Sequence, residues 1–200
     1  MDENLLPPEI RDALGAAVID AARDAYDSPG RHYHTWPHIE ACLNEARGLR
    51  FDDAAVVYAA LLFHDAVYVA GAKDNEAQSA RLAARQLQGR LAAVRIARVE
   101  HLIRLTASHD ALPAEAPRDD QLLVDIDLSI LAAAPAAYAR YAQEVRKEWV
   151  PAVVSAAQYA QGRAAFLRKV LAAPRIFHSR EFAAREPAAR ANIAHELTAL

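Results

Sequence analysis

One cysteine among 200 residues excludes an internal disulfide, and Cys42, with Ile39 and Ala46 at its i−3 and i+4 positions, reads as a small core side chain. Glycine is scarce as well, at 6 residues, while alanine lifts the hydrophobic share to 54%. That balance favours helix over turn-rich β structure. No run approaches the roughly 18 consecutive apolar residues that span a bilayer. Neither charge sign dominates: 23 Lys and Arg against 26 Asp and Glu give a net charge of −3. A mildly acidic chain with scattered charges gives no reason to expect nucleic acid or an anionic membrane as a bulk partner. The opening Met-Asp-Glu-Asn lacks a basic stretch followed by an apolar one, so a soluble, cytoplasmic protein is the expectation.

Helical spacing appears from about Pro8 to Tyr26, with Ile10, Leu14, Ala17, Val18 and Ala21 on one stripe, and Asp27-Ser28-Pro29-Gly30 ends it. Thr35 can cap a helix that holds Pro37 in its first turn and runs to about Arg47, because proline's missing N–H costs nothing there. Asp52 or Asp53 opens a helix that is apolar nearly all round up to His64-Asp65, the mark of a central, buried element. Asp74 or Asn75 caps the next helix, Gly89 breaks it, and another runs from about Ala92 to Ser108. Asp119 or Asp120 caps a helix through Leu131, and further helices follow with breaks near Pro151, Pro174 and Pro187. The expectation is a single all-α domain over residues 1–200 with about eight to ten helices. Its parts are an N-terminal helix at about 8–27, a metal-site core at about 31–131 and C-terminal helices at about 135–200.

Several polar residues sit where apolar ones belong. His64-Asp65 ends the most apolar stretch of the chain, Val56 to Phe63. An ionised carboxylate there costs several kcal/mol unless a cation or donor meets it. Adjacent helical side chains diverge by about 100°, close to the angle between neighbouring ligands of an octahedral ion. Asp125 and Asp127 are about 200° apart on a helix and cannot both face one site. Asp127 has Leu123, Val124, Ile130 and Leu131 around it, whereas Asp125 has the mixed set Gln121, Leu122, Leu128 and Ser129. That pattern predicts Asp127 as the buried carboxylate and metal ligand, with Asp125 in a supporting role or solvated.

The ordered elements Arg31-x-Tyr33-His34-Thr35-x-x-His38-Ile39, Phe63-His64-Asp65-x-Val67-Tyr68, Asp74-Asn75-Glu76-x-x-Ser79-Ala80, Thr106-x-x-His109, Asp125-x-Asp127-Leu128, Val145-Arg146-x-Glu148 and Asn192-x-x-x-Glu196-Leu197 cover the chain from about residue 30 onward. Together they resemble the HD-domain metal-dependent phosphohydrolases, and among these the small bacterial group of predicted HD-superfamily phosphohydrolases. The resemblance implies an HD-type helical bundle in which His38, His64, Asp65 and Asp127 bind the metal and Asp65 also serves catalysis. Tyr33-His34-Thr35-Trp36-Pro37-His38 is similar to the Tyr-His-Asn-x-x-His element of the more distant cyclic-nucleotide phosphodiesterases, with threonine in place of asparagine. By that similarity His34 protonates the leaving oxygen.

Two imidazoles and two carboxylates leave about two of six positions open on a divalent ion and suit Mn²⁺, Fe²⁺, Co²⁺ or Ni²⁺ better than Mg²⁺. The implied reaction is hydrolysis of a phosphomonoester or phosphodiester of a small, nucleotide-like metabolite by metal-activated water. The alternatives are a nucleotide-sensing module that uses the same pocket without turnover and a helical interaction protein with a structural metal. Arg31 and Arg146 are candidates to clamp a phosphate. Glu76 is a candidate for a water or a second metal, and His109 for a phosphate or a second metal.

Overall fold

The computed structural model describes residues 5–113 and 115–200, and at 109–111 the backbone alone. Among these residues the fold is all-α, with ten α-helices. They are α1 (Pro8–Leu14), α2 (Ala16–Asp24), α3 (Trp36–Ala46), α4 (Ala54–Phe63), α5 (Asn75–Gln86), α6 (Ala93–Leu105), α7 (Arg118–Asp127), α8 (Pro135–Trp149), α9 (Ala156–Ala172) and α10 (Glu186–Ala199). Short 3₁₀ turns extend α2, α6 and α7 and precede α10. No single helix among the described residues is long and apolar enough to cross a membrane.

The apolar run of α4 makes it the axis of the fold. Every residue from Ala55 to Phe63 is buried, and α1, α2, α3, α5, α6 and α7 all pack against it. Each buried Val, Leu or Phe on it contributes roughly 1.5–3 kcal/mol before chain entropy is subtracted. The remaining helices gather on the turn after α7: α8 and α10 both pack on residues 128–132, and α9 lies against α10.

The start of α4 is capped twice. Asp53 accepts from the Val56 N–H at 3.2 Å, and Asp119 from α7 accepts from the N–H groups of Asp52 and Asp53 at 2.8 and 2.9 Å. Asp119 therefore caps α4 rather than its own helix, and Asp120 meets Arg98 and His101 on α6. The expected cap of α7 gives way to Pro117, which precedes the first turn. The expected single N-terminal helix is two, because Gly15 breaks it at φ +82°. A side chain at that φ would be strained, and its Cβ would also displace the Arg90 guanidinium, which lies 2.6 Å from where it would stand. Two other helices end sooner than their periodicity indicates: α6 passes into 3₁₀ geometry after Leu105, and α7 after Asp127.

Candidate metal centre

Three chain segments meet at the C-terminal end of α4. His64 is its C-cap and Asp65 follows; His38 projects from the first turns of α3; Asp127 closes α7. A helix leaves its last four carbonyls without partners inside the helix, and here the last three find one. The Leu61 carbonyl meets His64 Nδ1 at 2.9 Å, the Leu62 carbonyl accepts from the Tyr26 hydroxyl at 3.0 Å, and the Phe63 carbonyl accepts from the Ala66 N–H at 3.0 Å. Arg31 secures the turn beyond, donating to the carbonyls of Asp65 at 2.7 Å, Ala66 at 2.8 Å and His34 at 2.9 Å. Its terminal nitrogens hold main chain, which makes Arg31 a brace between the His34 segment and the His64-Asp65 turn.

The side chains so placed converge. His38 Nε2 and His64 Nε2 are 3.1 Å apart. Asp65 Oδ2 lies 3.6 and 3.1 Å from these two nitrogens, and Asp127 Oδ1 lies 3.3 and 3.4 Å from them. A carbonyl only accepts, so the contact with Leu61 places a proton on His64 Nδ1, and in the neutral ring Nε2 turns a lone pair to the cluster. Burial opposes a charged His64 ring, but Asp65 and Asp127 outweigh it and push the pKa well above the usual imidazole range. Burial likewise opposes ionisation of Asp65, yet His64 and His34 hold its carboxyl below the usual range. A group of acceptors this close calls for a positive charge among them.

A bound metal ion could meet that demand. Donors about 2.1 Å from one ion and about 90–109° apart stand about 3.0–3.4 Å from each other. The five distances of 3.1–3.6 Å lie in or near that range. A second grouping overlaps the first. The donor atoms of His38, Cys42, His64 and Asp127 all lie within 4.8 Å of one another and could hold a metal ion. Cys42, read from sequence as a core residue, is buried one turn beyond His38, with Sγ 3.8 Å from both ring nitrogens. Burial first, then Asp127 and Asp65, raise its thiol pKa well above the usual value.

His34 stands beside this cluster. Its Nδ1 is 2.7 Å from Glu148 Oε2, and its ring stacks on Tyr68 with centroids 4.0 Å apart. Because a carboxylate accepts, Nδ1 carries the proton and Nε2 is the nitrogen left for other partners. Glu148 Oε1 meanwhile accepts from three successive N–H groups, those of His32, Tyr33 and His34, at 2.8, 2.8 and 2.9 Å. Burial works against both charges, but Asp65 and Glu148 raise the His34 pKa, and His34 with the N–H donors lowers that of Glu148 to about 2. The sequence reading left Glu148 without a role. Its signal was present: it continues the buried stripe Tyr138, Tyr141, Val145 of α8, where a carboxylate needs partners.

The other sequence candidates lie apart from these contacts. Asp125, expected on a mixed face, is fully buried. It accepts from the N–H groups of His178 and Ser179 at 2.7 and 2.6 Å, and burial raises its pKa despite them. Asp127, expected to be the more buried, has a side chain 15% exposed. Arg146 is exposed on α8. Glu76 is half-buried in the first turn of α5. The side chain of His109 lies outside the described residues. A cavity of about 430 Å³ reaches His38, Cys42 and Asp127, with Tyr33, Tyr141 and Ile130 in its wall and Arg140 and Arg185 among its cations. Arg185 is paired with Glu45 at 2.7 Å. Arg140 is exposed and makes no hydrogen bond or ion pair among the described residues.

No family model matches the chain, and neither does any curated protein or solved structure.

Proposed function

We propose that this protein is a metal-dependent phosphohydrolase of the HD type, cleaving a phosphomonoester or phosphodiester of a small, nucleotide-like metabolite. The observation that carries the reading is the convergence of His38 Nε2, His64 Nε2, Asp65 Oδ2 and Asp127 Oδ1 beside a histidine held by its other nitrogen. Mn²⁺, Fe²⁺, Co²⁺ or Ni²⁺ suits two imidazoles and two carboxylates better than Mg²⁺. When bound, such an ion acidifies water and polarises a phosphoryl oxygen.

The chain's own residues do the rest. Glu148 fixes His34 by Nδ1, so that Nε2 presents a proton to the departing oxygen, and Tyr68 holds the ring plane. The Glu148 charge favours the protonated ring that a general acid needs. The cavity beside His38 and Asp127 takes the remainder of the substrate, with Tyr33 and Tyr141 offering aromatic surface and Arg140 a free cation for a phosphoryl oxygen.

The test is a screen of phosphorylated metabolites against the purified protein with Mn²⁺, Co²⁺, Ni²⁺ and Mg²⁺ supplied in turn, followed by His34→Ala. Turnover should require one of the first three ions. His34→Ala should keep metal affinity and lose at least about 10²-fold in turnover of a substrate with a poor leaving group, and less with a nitrophenyl ester. Loss of the metal would make His34 a ligand instead. Unchanged turnover of both substrates would remove the acid role. Tight nucleotide binding without turnover under any ion would favour a sensing module.

A further inference from the structure

We propose that this metal centre has two ligand sets, and that the ion selects between them: an oxygen-preferring ion takes Asp65, whereas a thiophilic ion takes Cys42. The inference rests on the metal-centre reading above. His38 Nε2, His64 Nε2 and Asp127 Oδ1 form a triangle with sides of 3.1, 3.3 and 3.4 Å, common to both sets. Asp65 Oδ2 approaches the two nitrogens at 3.1 and 3.6 Å. One ligand atom each from His38, Cys42, His64 and Asp127 lies within 4.8 Å of the others, and Cys42 Sγ is 3.8 Å from His38 Nε2.

The sulfur distance fits ligation. With Zn–S about 2.3 Å and Zn–N about 2.1 Å, a sulfur and a nitrogen on one tetrahedral ion stand about 3.6–3.8 Å apart. Cys42 Sγ is 3.8 Å from His38 Nε2. The helix supplies this spacing, since Cys42 follows His38 by four residues on α3 and so stands on the same face. Cys42 also lines the 430 Å³ cavity together with His38 and Asp127, while Asp65 does not, so an ion arriving through that cavity meets the thiol.

The chemistry of the two sets differs. Mn²⁺ prefers oxygen and imidazole and leaves the thiol protonated; Zn²⁺ and Cd²⁺ form strong bonds to thiolate. In the second case the S–H bond breaks, its proton passes to buffer, and the sulfur–metal bond forms. Two nitrogens, one oxygen and one sulfur complete a tetrahedral shell, the closed arrangement of structural rather than catalytic sites. Thiophilic ions would then occupy the centre without supporting turnover.

The experiment uses Cd²⁺ and Mn²⁺ as probes on the wild-type protein, Cys42→Ala and Cys42→Ser, with both ions also titrated calorimetrically. Because Cys42 is the sole cysteine, any sulfur-to-metal charge-transfer absorption must come from it. Cd²⁺ should produce that absorption in the wild type and in neither variant. Cd²⁺ affinity should fall at least about 10-fold in the variants, while Mn²⁺ affinity stays within about threefold. Cd²⁺ binding to the wild type without the absorption overturns the second ligand set and leaves the metal centre standing. A Mn²⁺ affinity that falls in parallel with that of Cd²⁺ in both variants overturns the division between ions. Failure of both ions to bind the wild type removes the metal centre itself, whereas Mn²⁺ binding without Cd²⁺ binding overturns the second ligand set alone. Circular dichroism on each variant confirms folding, and Cys42→Ser, closest to thiol in volume, stands if Cys42→Ala does not fold.

Discussion

Asp125 and Asp127 share a helix and differ in what their oxygens meet. Asp125 accepts two main-chain N–H groups from residues 178 and 179, while Asp127 faces two imidazoles. Substituting asparagine tests the division. Asp125→Asn turns one acceptor into a donor against an N–H and should cost about 1.5–3 kcal/mol in chemical denaturation, with Mn²⁺ affinity little changed. Asp127→Asn should do the reverse, abolishing calorimetric Mn²⁺ binding at small cost to the metal-free fold. Equal losses of metal affinity would mean that the two carboxylates do not divide these tasks. The sequence separated these residues, but by a faulty route. Face analysis counts only neighbours on the same helix, and the partners of Asp125 lie more than fifty residues further on. The burial of Glu148 was legible on the stripe of α8, but its role was not, because His34 lies 114 residues away. Cys42, read as a core residue, is one, and its nearness to the candidate ligands of α4 and α7 depends on tertiary packing that its helix neighbours do not record.

At the scale of elements, helix interiors and several helix starts were legible, with Thr35, Asp53 and Asp74 at the N-caps expected of them, whereas other ends were not. The apolar girth of α4 pointed to its central place, and Pro37 falls in the first turn of α3 as its chemistry requires. Ends depend on partners from elsewhere: Asp119 caps α4 instead of α7, and Arg90 occupies the turn at Gly15. The end that matters to the site is the C-terminus of α4. Arg31 draws the carbonyls of Asp65, Ala66 and His34 onto one guanidinium, so the turn carrying two candidate ligands is tied to the segment carrying the candidate acid. Arg31→Met keeps much of the side-chain length over Tyr26 and Tyr68 but removes every donor. It should destabilise the fold by about 1.5–3 kcal/mol and weaken Mn²⁺ binding by about 10–100-fold, as loss of a ligand-orienting group does. If Arg31 acted only on substrate phosphate, metal affinity and denaturation midpoint would both stay at wild-type values.

Across the whole molecule, the C-terminal helices reach the site through α8. Arg163 on α9 pairs with Glu196 on α10 at 2.8 Å and donates to the Tyr141 hydroxyl at 3.3 Å. Tyr141 packs edge-on against Tyr33, and Glu148 one helix-half further gathers the main chain of residues 32–34. Glu148 is thus the polar tie between the last helices and the segment leading into α3, and acid should loosen it. Its folded pKa of about 2 lies below the ordinary 4.5. The folded state therefore takes up this proton later than the unfolded chain as pH falls. The stabilisation is nearly whole above about pH 5 and is lost progressively as the pH falls through about 2. A shift of that size corresponds to about 3 kcal/mol, of which about 2 kcal/mol is gone at about pH 3. His34 remains protonated throughout that window, since its own pKa is raised, so the change belongs to the carboxylate. Other carboxylates are also held below their usual range, Asp53 by Arg95 among them, which makes the comparison with Glu148→Gln the informative one. The stability difference between wild type and Glu148→Gln, measured by chemical denaturation, should narrow by about 2 kcal/mol between about pH 5 and about pH 3. A gap that stays constant across that interval would mean that the Glu148 charge does not hold the two parts of the molecule together.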